Sequence, residues 1–536
     1  MERVIEADAL TYHMPCVVKW LQNESIRTPY YNAYVGPIGY YPGNYELLSL
    51  FTVLPFHKDL FVNLVNFFMF VPFGVVIYGI LKKLNVSEKV ATIAPAIFLT
   101  TPIILRQAGI PQNDLFLVFT LAVSVYFLAK ILLKERVSQS LALFSITLGL
   151  FVGTKSNAIV FGFAIFLIMT VSILVSQRFK AKAFLHISMA FISTFILGGF
   201  WYLRNLIVTG NPLFPLDVKL FGVNFFDGYL GFTEKMHGYS MAAHLQDPGL
   251  TAKFLESFIL SSGSVGVFAL VGSALSVLFL LKFKKEYKLL ITLFFLSVFF
   301  FAVYIISPFS YQNIYPNIRY LLPFILIGFI LFIALISKLK RAVFVSYGLA
   351  VLTILSTFHL IANQSEYVEY TNDYVFVSFD FPAFRSFDDI FIQDVNADTS
   401  DHKYVINRDL IQAFEFVDEN IGEDAKIAYT NFGPHYPLFG KNLTREVDYV
   451  NVNECTYCIY HDYMYSPDSI LRDANYDDWK SNLIEMDKEY LIHADFSDWS
   501  QKLEKTWANE HPENFKIIYE EGVVTIYKID LNASSI

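Results

Sequence analysis

The sequence predicts a polytopic α-helical membrane protein that carries a soluble α/β domain at its C-terminal end. The 536 residues are 54% hydrophobic and 17% aromatic, and their mean hydropathy of +0.44 is too high for a soluble protein of this length. Charge is also divided along the chain. Residues 1–362 hold 27 Lys and Arg against 15 Asp and Glu, whereas residues 363–536 hold 13 against 34. A basic membrane part therefore precedes an acidic domain, and that acidity argues against nucleic acid as a partner.

The apolar runs divide the chain into three parts. Residues 1–58 contain two short amphipathic segments, 9–24 and 44–54, which are predicted to lie on the membrane surface as helices. Residues 59–362 form the membrane domain, in which residues 208–263 are the largest internal loop. Residues 363–536 form the α/β domain, with a helix predicted at 410–420 and strands at 426–429 and 523–529.

The membrane domain contains about ten apolar segments that approach or reach the length needed to cross a bilayer. They lie at 59–81, 89–105, 115–133, 139–154, 158–176, 183–207, 264–281, 289–307, 319–337 and 342–361. Only Lys155-Ser-Asn157 separates the fourth segment from the fifth, which predicts a tight re-entrant pair.

Basic residues predict the orientation of these segments. The loops 82–88, 134–138, 177–182, 282–288 and 338–341, with their flanks, hold 16 of the 27 basic residues of the first part. Because basic loops stay in the cytoplasm, we expect residues 1–58, 208–263 and 363–536 to lie outside the cell membrane. A chain start on that side usually follows a spanning helix. The sequence therefore predicts that a first helix is missing before residue 1.

Carboxylates at the outer side are candidates for catalysis. Glu6 and Asp8 precede the first amphipathic segment, and Asp114, in Gln112-Asn-Asp114, opens the third apolar segment. A carboxylate can deprotonate an acceptor hydroxyl when a sugar leaves a lipid phosphate, and Asp8 is the candidate for this base. Asp114 is a candidate to assist the acceptor or bind a metal. The alternative for both aspartates is that they start helices.

Other polar and aromatic residues in the first 58 are candidates for binding. His13 and Glu46 are predicted to form a polar or metal-binding cluster with Asp8, with ordinary interfacial polarity as the alternative. Tyr41, in Tyr40-Tyr-Pro42, is a candidate for an aromatic wall beside a sugar, or for shaping the loop.

Three isolated cations lie on the side that is otherwise poor in basic residues. They are Lys155, Arg204 and Arg319, each at the outer end of an apolar segment. We expect them to converge on one anion, and a lipid phosphate is the anion available at that depth. The alternative is that each side chain reaches out to lipid headgroups.

Two motifs in the acidic domain favour structural roles. Cys455-Thr-Tyr-Cys458 offers too few ligands for a zinc site and indicates a local disulfide or two thiols. The aromatic run Pro434-His-Tyr-Pro-Leu-Phe-Gly440 is predicted to be a structural turn.

Several motifs together resemble prokaryotic GT-C glycosyltransferases, the group of the protein O-mannosyltransferases and lipid A aminoarabinose transferases (family 39 type). They are Asp8-Ala-Leu-Thr-Tyr-His-Met-Pro15, Gln112-Asn-Asp114, Gly153-Thr-Lys155, Trp201-Tyr-Leu-Arg-Asn205 and Gly210-Asn-Pro212. The resemblance covers essentially the whole chain. It implies many spanning helices, two surface helices in the first outer loop, a polyprenyl-phosphate sugar as donor, and a catalytic Asp early in that loop, where Asp8 stands. The paired acidic motif of the family is spread here as Glu6-x-Asp8.

Two alternatives compete with a glycosyltransferase. A polysaccharide polymerase or ligase with a lipid-linked donor has the same sequence features. A transporter is disfavoured because its polar groups would lie at mid-membrane. The sequence leaves open the sugar, the acceptor (lipid, glycan or protein) and a divalent metal ion as cofactor.

Overall fold

The computed structural model describes residues 8–27, 29, 37–220, 223–228, 240–244, 246–279, 287–307, 310, 317–362, 408–453, 474–495 and 503–531. Glu6, Cys455 and Cys458 lie outside these residues. The described chain consists of a helical part up to residue 362 and a part that contains a five-stranded sheet from residue 408 onward. The predicted fold class, a helical membrane protein with a C-terminal α/β domain, is confirmed.

The helical part begins with a π-helix, Ala9–His13, which continues directly into α1. The α-helices are α1 Met14–Gln22, α2 Asn44–Val53, α3 Leu64–Lys83, α4 Glu88–Leu99, α5 Pro102–Gln107, α6 Asp114–Leu132, α7 Val137–Val152, α8 Ala158–Ser176, α9 Ala181–Gly198, α10 Phe200–Thr209, α11 Met241–His244, α12 Pro248–Phe279, α13 Tyr287–Ile306, α14 Leu322–Ile336 and α15 Ala342–Ala362. Short 3₁₀ helices at Ile38–Tyr40 and Ile318–Leu321 precede α2 and α14. A small hairpin joins β1 Val218–Leu220 to β2 Val223–Phe226.

Seven of the described helical segments are long and apolar enough to cross a membrane. They are Leu64–Lys83, Asp114–Leu132, Ala158–Ser176, Ala181–Gly198, Pro248–Ser276, Tyr287–Ile306 and Ile318–Ile336. Val137–Val152 and Ala342–Phe358 are apolar but shorter. The chain is thus a multi-pass membrane protein, while the predicted count of ten spans stays a prediction.

The centre of this bundle is a close crossing of α12 and α14. A Cβ on Gly272 would lie 2.2 Å from the Gly328 carbonyl oxygen, so neither helix tolerates a larger residue there without shifting. Small residues let helices approach closely in lipid, where apolar side chains gain little by packing together. Helix α14 is buried along nearly its whole length, and it fixes the position of the residues at its N-terminal end.

Three of the predicted segments are broken in the structure. Segment 89–105 is α4 and α5, interrupted before Pro102, whose ring cannot continue the preceding helix. Segment 183–207 is α9 and α10, interrupted at Gly199. Helix α12 begins at Pro248, inside the predicted loop 208–263, and loses helical geometry at Gly263. The predicted start at 264 therefore marks the residue after this interruption.

The C-terminal part is a mixed sheet with helices on both faces. The strands β3 Lys426–Thr430, β4 Glu446–Asp448, β5 Tyr490–Ala494, β6 Phe515–Glu521 and β7 Val524–Ile529 lie in the order β4-β3-β5-β7-β6. The pairs β3–β4 and β3–β5 are parallel, and β5–β7 and β6–β7 are antiparallel. Helix α16 Arg408–Asn420 packs on one face, whereas α17 Tyr476–Glu485 and α18 Leu503–Glu510 pack on the other. The predicted helix 410–420 and strand 426–429 lie within these elements, and the strand predicted at 523–529 begins one residue later, at Val524.

The first predicted surface helix has a different partner from the one expected. Leu10, Met14 and Val17 are almost fully buried, and they share a hydrophobic core with Leu438 and Phe439 of the C-terminal domain. The expectation that segment 9–24 lies on lipid is therefore wrong for its apolar face. Amphipathic periodicity shows that one face is buried, but it does not show what covers that face.

Candidate active site

Four separate stretches of chain bring charged side chains together beside the start of α14. Asp8 precedes the π-helix, Asp114 is the first residue of α6, Lys155 lies in the turn between α7 and α8, and Arg319 lies in the 3₁₀ helix before α14. The Arg319 Nη2 donates a short hydrogen bond to Asp8 Oδ2, and its Nε lies 3.4 Å from Asp114 Oδ2. Lys155 Nζ donates to Asp114 Oδ1 at 2.6 Å. The result is a chain of alternating charges, Asp8–Arg319–Asp114–Lys155, with no net charge.

The two carboxylates of this chain differ in access. The Asp114 side chain is 2% exposed and has a cation beside each oxygen, whereas the Asp8 side chain is 27% exposed. Asp114 is thus placed to hold the two cations, and Asp8 is the carboxylate that another molecule can reach. Burial alone would raise the pKa of Asp8, but the charges of Arg319, His13 and Lys155 lower it below the ordinary value. Asp8 is therefore ionised at neutral pH.

Aromatic side chains cover the cations. Lys155 Nζ lies 4.2 Å from the centre of the Tyr320 ring, and the Arg319 guanidinium carbon lies 5.4 Å from the same centre. Burial and the nearby Tyr320 raise the pKa of the Tyr41 hydroxyl well above its ordinary range, which places Tyr41 in the same neighbourhood. Tyr320 was not among the predicted residues. Its place directly after Arg319 in the sequence is the feature that could have identified it.

His13 and Glu46 form a buried pair of their own. His13 Nδ1 lies 2.5 Å from Glu46 Oε1, and the His13 ring contacts Tyr12 at 4.1 Å between centres. Within the described ranges, no three His, Cys, Asp or Glu side chains are grouped as they would be around a metal ion. The predicted cluster of His13 and Glu46 with Asp8 is therefore a pair beside the charge chain.

Arg204 does not join the other two cations through any contact described. Its Nη2 donates to the Gly39 carbonyl oxygen at 2.7 Å, and the neighbouring Asn205 amide donates to the Tyr40 carbonyl oxygen at 2.7 Å. Its guanidinium also lies 5.0 Å from the centre of the Trp201 ring. These contacts hold the 3₁₀ turn at Ile38–Tyr40, immediately before Tyr41. A role of Arg204 in binding phosphate stays a prediction.

A protein-family match covers part of the chain, and solved structures share its fold. Residues 26–211 match the family of dolichyl-phosphate-mannose-protein mannosyltransferases. That stretch includes Asp114, Lys155 and Arg204. No curated protein sequence matches the chain.

Solved structures resemble the chain over almost its whole length. ArnT from Cupriavidus metallidurans matches with a TM-score of 0.55 at 9% identity in its apo state, over 99% of this chain and 95% of ArnT. The same protein bound to undecaprenyl phosphate matches with a TM-score of 0.54 at 10% identity, with the same coverage. The Archaeoglobus fulgidus oligosaccharyltransferase, in complex with Zn and sulfate, matches with a TM-score of 0.50 at 12% identity, over 99% of this chain and 70% of that one.

These similarities confirm the resemblance that the motifs predict. The chain has the fold of the GT-C glycosyltransferases, in which a bundle of membrane helices is joined to a C-terminal domain.

Proposed function

We propose that this protein is a membrane glycosyltransferase that moves a sugar from a polyprenyl-phosphate donor to an acceptor outside the cytoplasm. The observation that carries the proposal is the charge chain Asp8–Arg319–Asp114–Lys155 at the start of α14. The match to a family of lipid-phosphate-dependent mannosyltransferases and the fold shared with ArnT, which has been solved with undecaprenyl phosphate, support the same class of donor.

Arg319 and Lys155 are the groups that would bind the donor phosphate. Both are tied to Asp114, which is buried and holds them in fixed positions. The Arg319 Nε–H is buried 3.4 Å from Asp114 Oδ2 and forms no hydrogen bond with the described residues. Preorganised cations stabilise the negative charge that grows on a departing phosphate. Asp114 is thus a positioning residue in this proposal, and the earlier hypothesis that it assists the acceptor stays untested.

Asp8 is the general base of the proposed reaction. The acceptor oxygen bonds to the anomeric carbon of the sugar while the bond from that carbon to the phosphate oxygen breaks. The acceptor proton moves to Asp8, and the electron pair of the broken bond stays on the polyprenyl phosphate. A donor phosphate competes with Asp8 for Arg319, and its binding leaves the Asp8 oxygen free to accept the proton.

The outward orientation belongs to the same proposal. Basic residues concentrate in the loops opposite to Asp8, and the N-terminal segment is packed against the C-terminal domain. The site and residues 363–536 would then face away from the cytoplasm in the plasma or inner membrane.

Replacing Asp8 with Asn tests the mechanism, because the amide is nearly isosteric and cannot take the proton. We expect transfer from a polyprenyl-phosphate sugar to fall by about 10²–10⁴-fold, with donor binding retained. Glu6→Gln is the control and should be milder. Near-normal turnover in Asp8→Asn with none in Glu6→Gln would identify Glu6 as the base. Activity in both variants would contradict the mechanism, and the same assay with and without a chelator measures metal dependence.

A further inference from the structure

The helix that carries Asp8 is bound to the C-terminal domain by an extensive interface. Residues Ala9, Leu10, Met14, Val17 and Val18 are at most 1% exposed and lie in one core with residues of α16, β3 and the turn at Tyr436–Phe439. This core buries one side of the π-helix and of α1 along their length. The contact is therefore comparable to the interior of a domain, and it fixes the direction of the helix.

Polar contacts hold the far end of the same helix. The Gln22 side-chain amide donates to the carbonyl oxygens of Leu443 and Arg445, at 2.9 Å each. Lys19 Nζ lies 2.5 Å from Asp448 Oδ1, and Lys488 Nζ lies 2.8 Å from the other oxygen of Asp448. The Lys19 side chain is 12% exposed and the Lys488 side chain 1%, so these charges are largely shielded from water. Removing one partner of such a shielded ion pair leaves the other charge uncompensated and is therefore strongly destabilising.

Asp8 and these contacts are connected by continuous helix. Asp8 itself has helical backbone angles, with φ −66° and ψ −38°, and the helix runs through His13 and Met14 to Gln22. A change in the position of α1 must therefore move Asp8 relative to Arg319. Arg319 belongs to the membrane bundle and does not depend on this interface.

We propose that the C-terminal domain positions the general base: through Lys19, Gln22 and Asp448 it holds α1 so that Asp8 meets Arg319. This inference rests on the proposed function for its catalytic consequence, while the mechanical part concerns the structure alone. Lys19, Gln22 and Asp448 are positioning residues, because they touch neither the donor nor the reacting atoms.

Two consequences distinguish this role from general stability. The phosphate-binding cations lie on other elements, and Asp8 competes with the donor for Arg319, so loosening α1 should lower kcat without raising the donor KM. Asp8 would also lose part of its contact with Arg319. The charged groups that face Asp8 are Arg319, His13 and Lys155, which favour the ionised form, and Asp114, which opposes it. Withdrawal from Arg319 raises the pKa of Asp8, and the acidic limb of the kcat/KM profile, which reports the free enzyme, moves to higher pH.

The experiment compares the double variant Lys19→Met/Gln22→Leu with Lys426→Met in the full-length protein. Lys426 pairs with Asp487 at 2.8 Å on the exposed side of the same domain, which makes it a matched control. We expect kcat of the double variant to fall by on the order of 10²-fold, as a misplaced catalytic group does. The acidic limb of its kcat/KM profile should move to higher pH, and its donor KM should not rise. The control should stay within about twofold of the unmodified protein, and Lys19→Arg should restore most of the loss of Lys19→Met.

Hydrogen exchange of segment 9–22 gives a readout that needs no activity. It should become faster in the double variant, while exchange in α14 stays the same. Unchanged exchange in segment 9–22, or an unchanged kcat and pH profile, would overturn the positioning role. If the unmodified protein transfers no sugar but exchange changes as expected, the proposed function fails. The inference that the C-terminal domain holds α1 in position then still stands. If the double variant does not fold, Asp448→Asn takes its place with the same expected results.

Discussion

Arg319 is shared by two carboxylates of different exposure, and this sharing determines what the site can do when an anion enters. The described chain of charges has two cations and two anions, so a bound phosphate adds one uncompensated negative charge. Asp114 is buried between both cations, and its ion pairs with the described residues are those with Lys155 and Arg319. Asp8 is more exposed and loses least when water replaces Arg319. The phosphate should therefore displace Asp8 rather than Asp114.

The pH dependence of transfer should report this contact. In Arg319→Met the Asp8 carboxyl stays partly buried but loses its nearest cation, so its pKa rises. A base must be ionised, and its activity is present above its pKa and lost as the pH falls through it. We expect the acidic limb of the kcat/KM profile, which reports the free enzyme, to move to higher pH, together with slower transfer. Lys155→Met, which removes a weaker influence on Asp8, should shift the limb less. Identical limbs in all three proteins would contradict the ion pair.

The candidate residues of this site could be found from sequence, but their pairings could not. One sequence feature, an isolated cation at the predicted outer end of an apolar segment, identified Lys155, Arg204 and Arg319 as candidates. Lys155 and Arg319 meet at Asp114, whereas Arg204 binds backbone carbonyls of the turn before Tyr41. Position along a helix was visible in the sequence. The direction of a side chain around that helix depends on how the helices pack, which no local pattern contains.

At the level of single elements, glycine decides where the long helix α12 changes direction. Gly263 has φ 55° and ψ −150°, a conformation open to almost no other residue, and it separates residues 248–262 of α12 from residues 264–279. The sequence prediction placed the start of the span at 264 because the apolar run begins there. The preceding helical turns were missed because Lys253 and Glu256 interrupt the apolar run.

Gly263→Ala should destabilise the protein, because a Cβ is strained at this backbone conformation. The expected loss is about 1–3 kcal/mol, measured as a lower midpoint of thermal unfolding in detergent. Gly348→Ala is the control, since Gly348 lies within α15 with open space around its Cβ position. That variant should be as stable as the unmodified protein or slightly more so, because alanine favours helix. Equal midpoints for both variants would show that the interruption at Gly263 carries no strain.

For the whole molecule, hydrophobic runs, basic loops and turn residues predict the fold class, and both the membrane bundle and the C-terminal sheet follow from them. The second surface helix, predicted at 44–54, is α2 at Asn44–Val53. Contacts between residues far apart in the sequence could not be predicted. The Lys19–Asp448 pair and the two bonds of Gln22 join residues more than 400 positions apart, and neither end of these contacts has a distinctive pattern. The predicted domain limits at 58 and 362 stay predictions.

The proposed orientation of the molecule is predicted from its charge distribution and can be tested by cysteine labelling. In a background with Cys455 and Cys458 replaced by Ser, the remaining Cys16 is buried and should not react. Single cysteines at the exposed positions Glu510 and Lys253 should react with a membrane-impermeant maleimide in intact cells, because they lie on the side of Asp8. A cysteine at Lys340, in the basic loop between α14 and α15, should react only after permeabilisation. The reverse pattern would place Asp8 in the cytoplasm and rule out an extracytoplasmic acceptor. Labelling of Glu510→Cys and Lys340→Cys from the same side would contradict the single crossing predicted between them at 342–361.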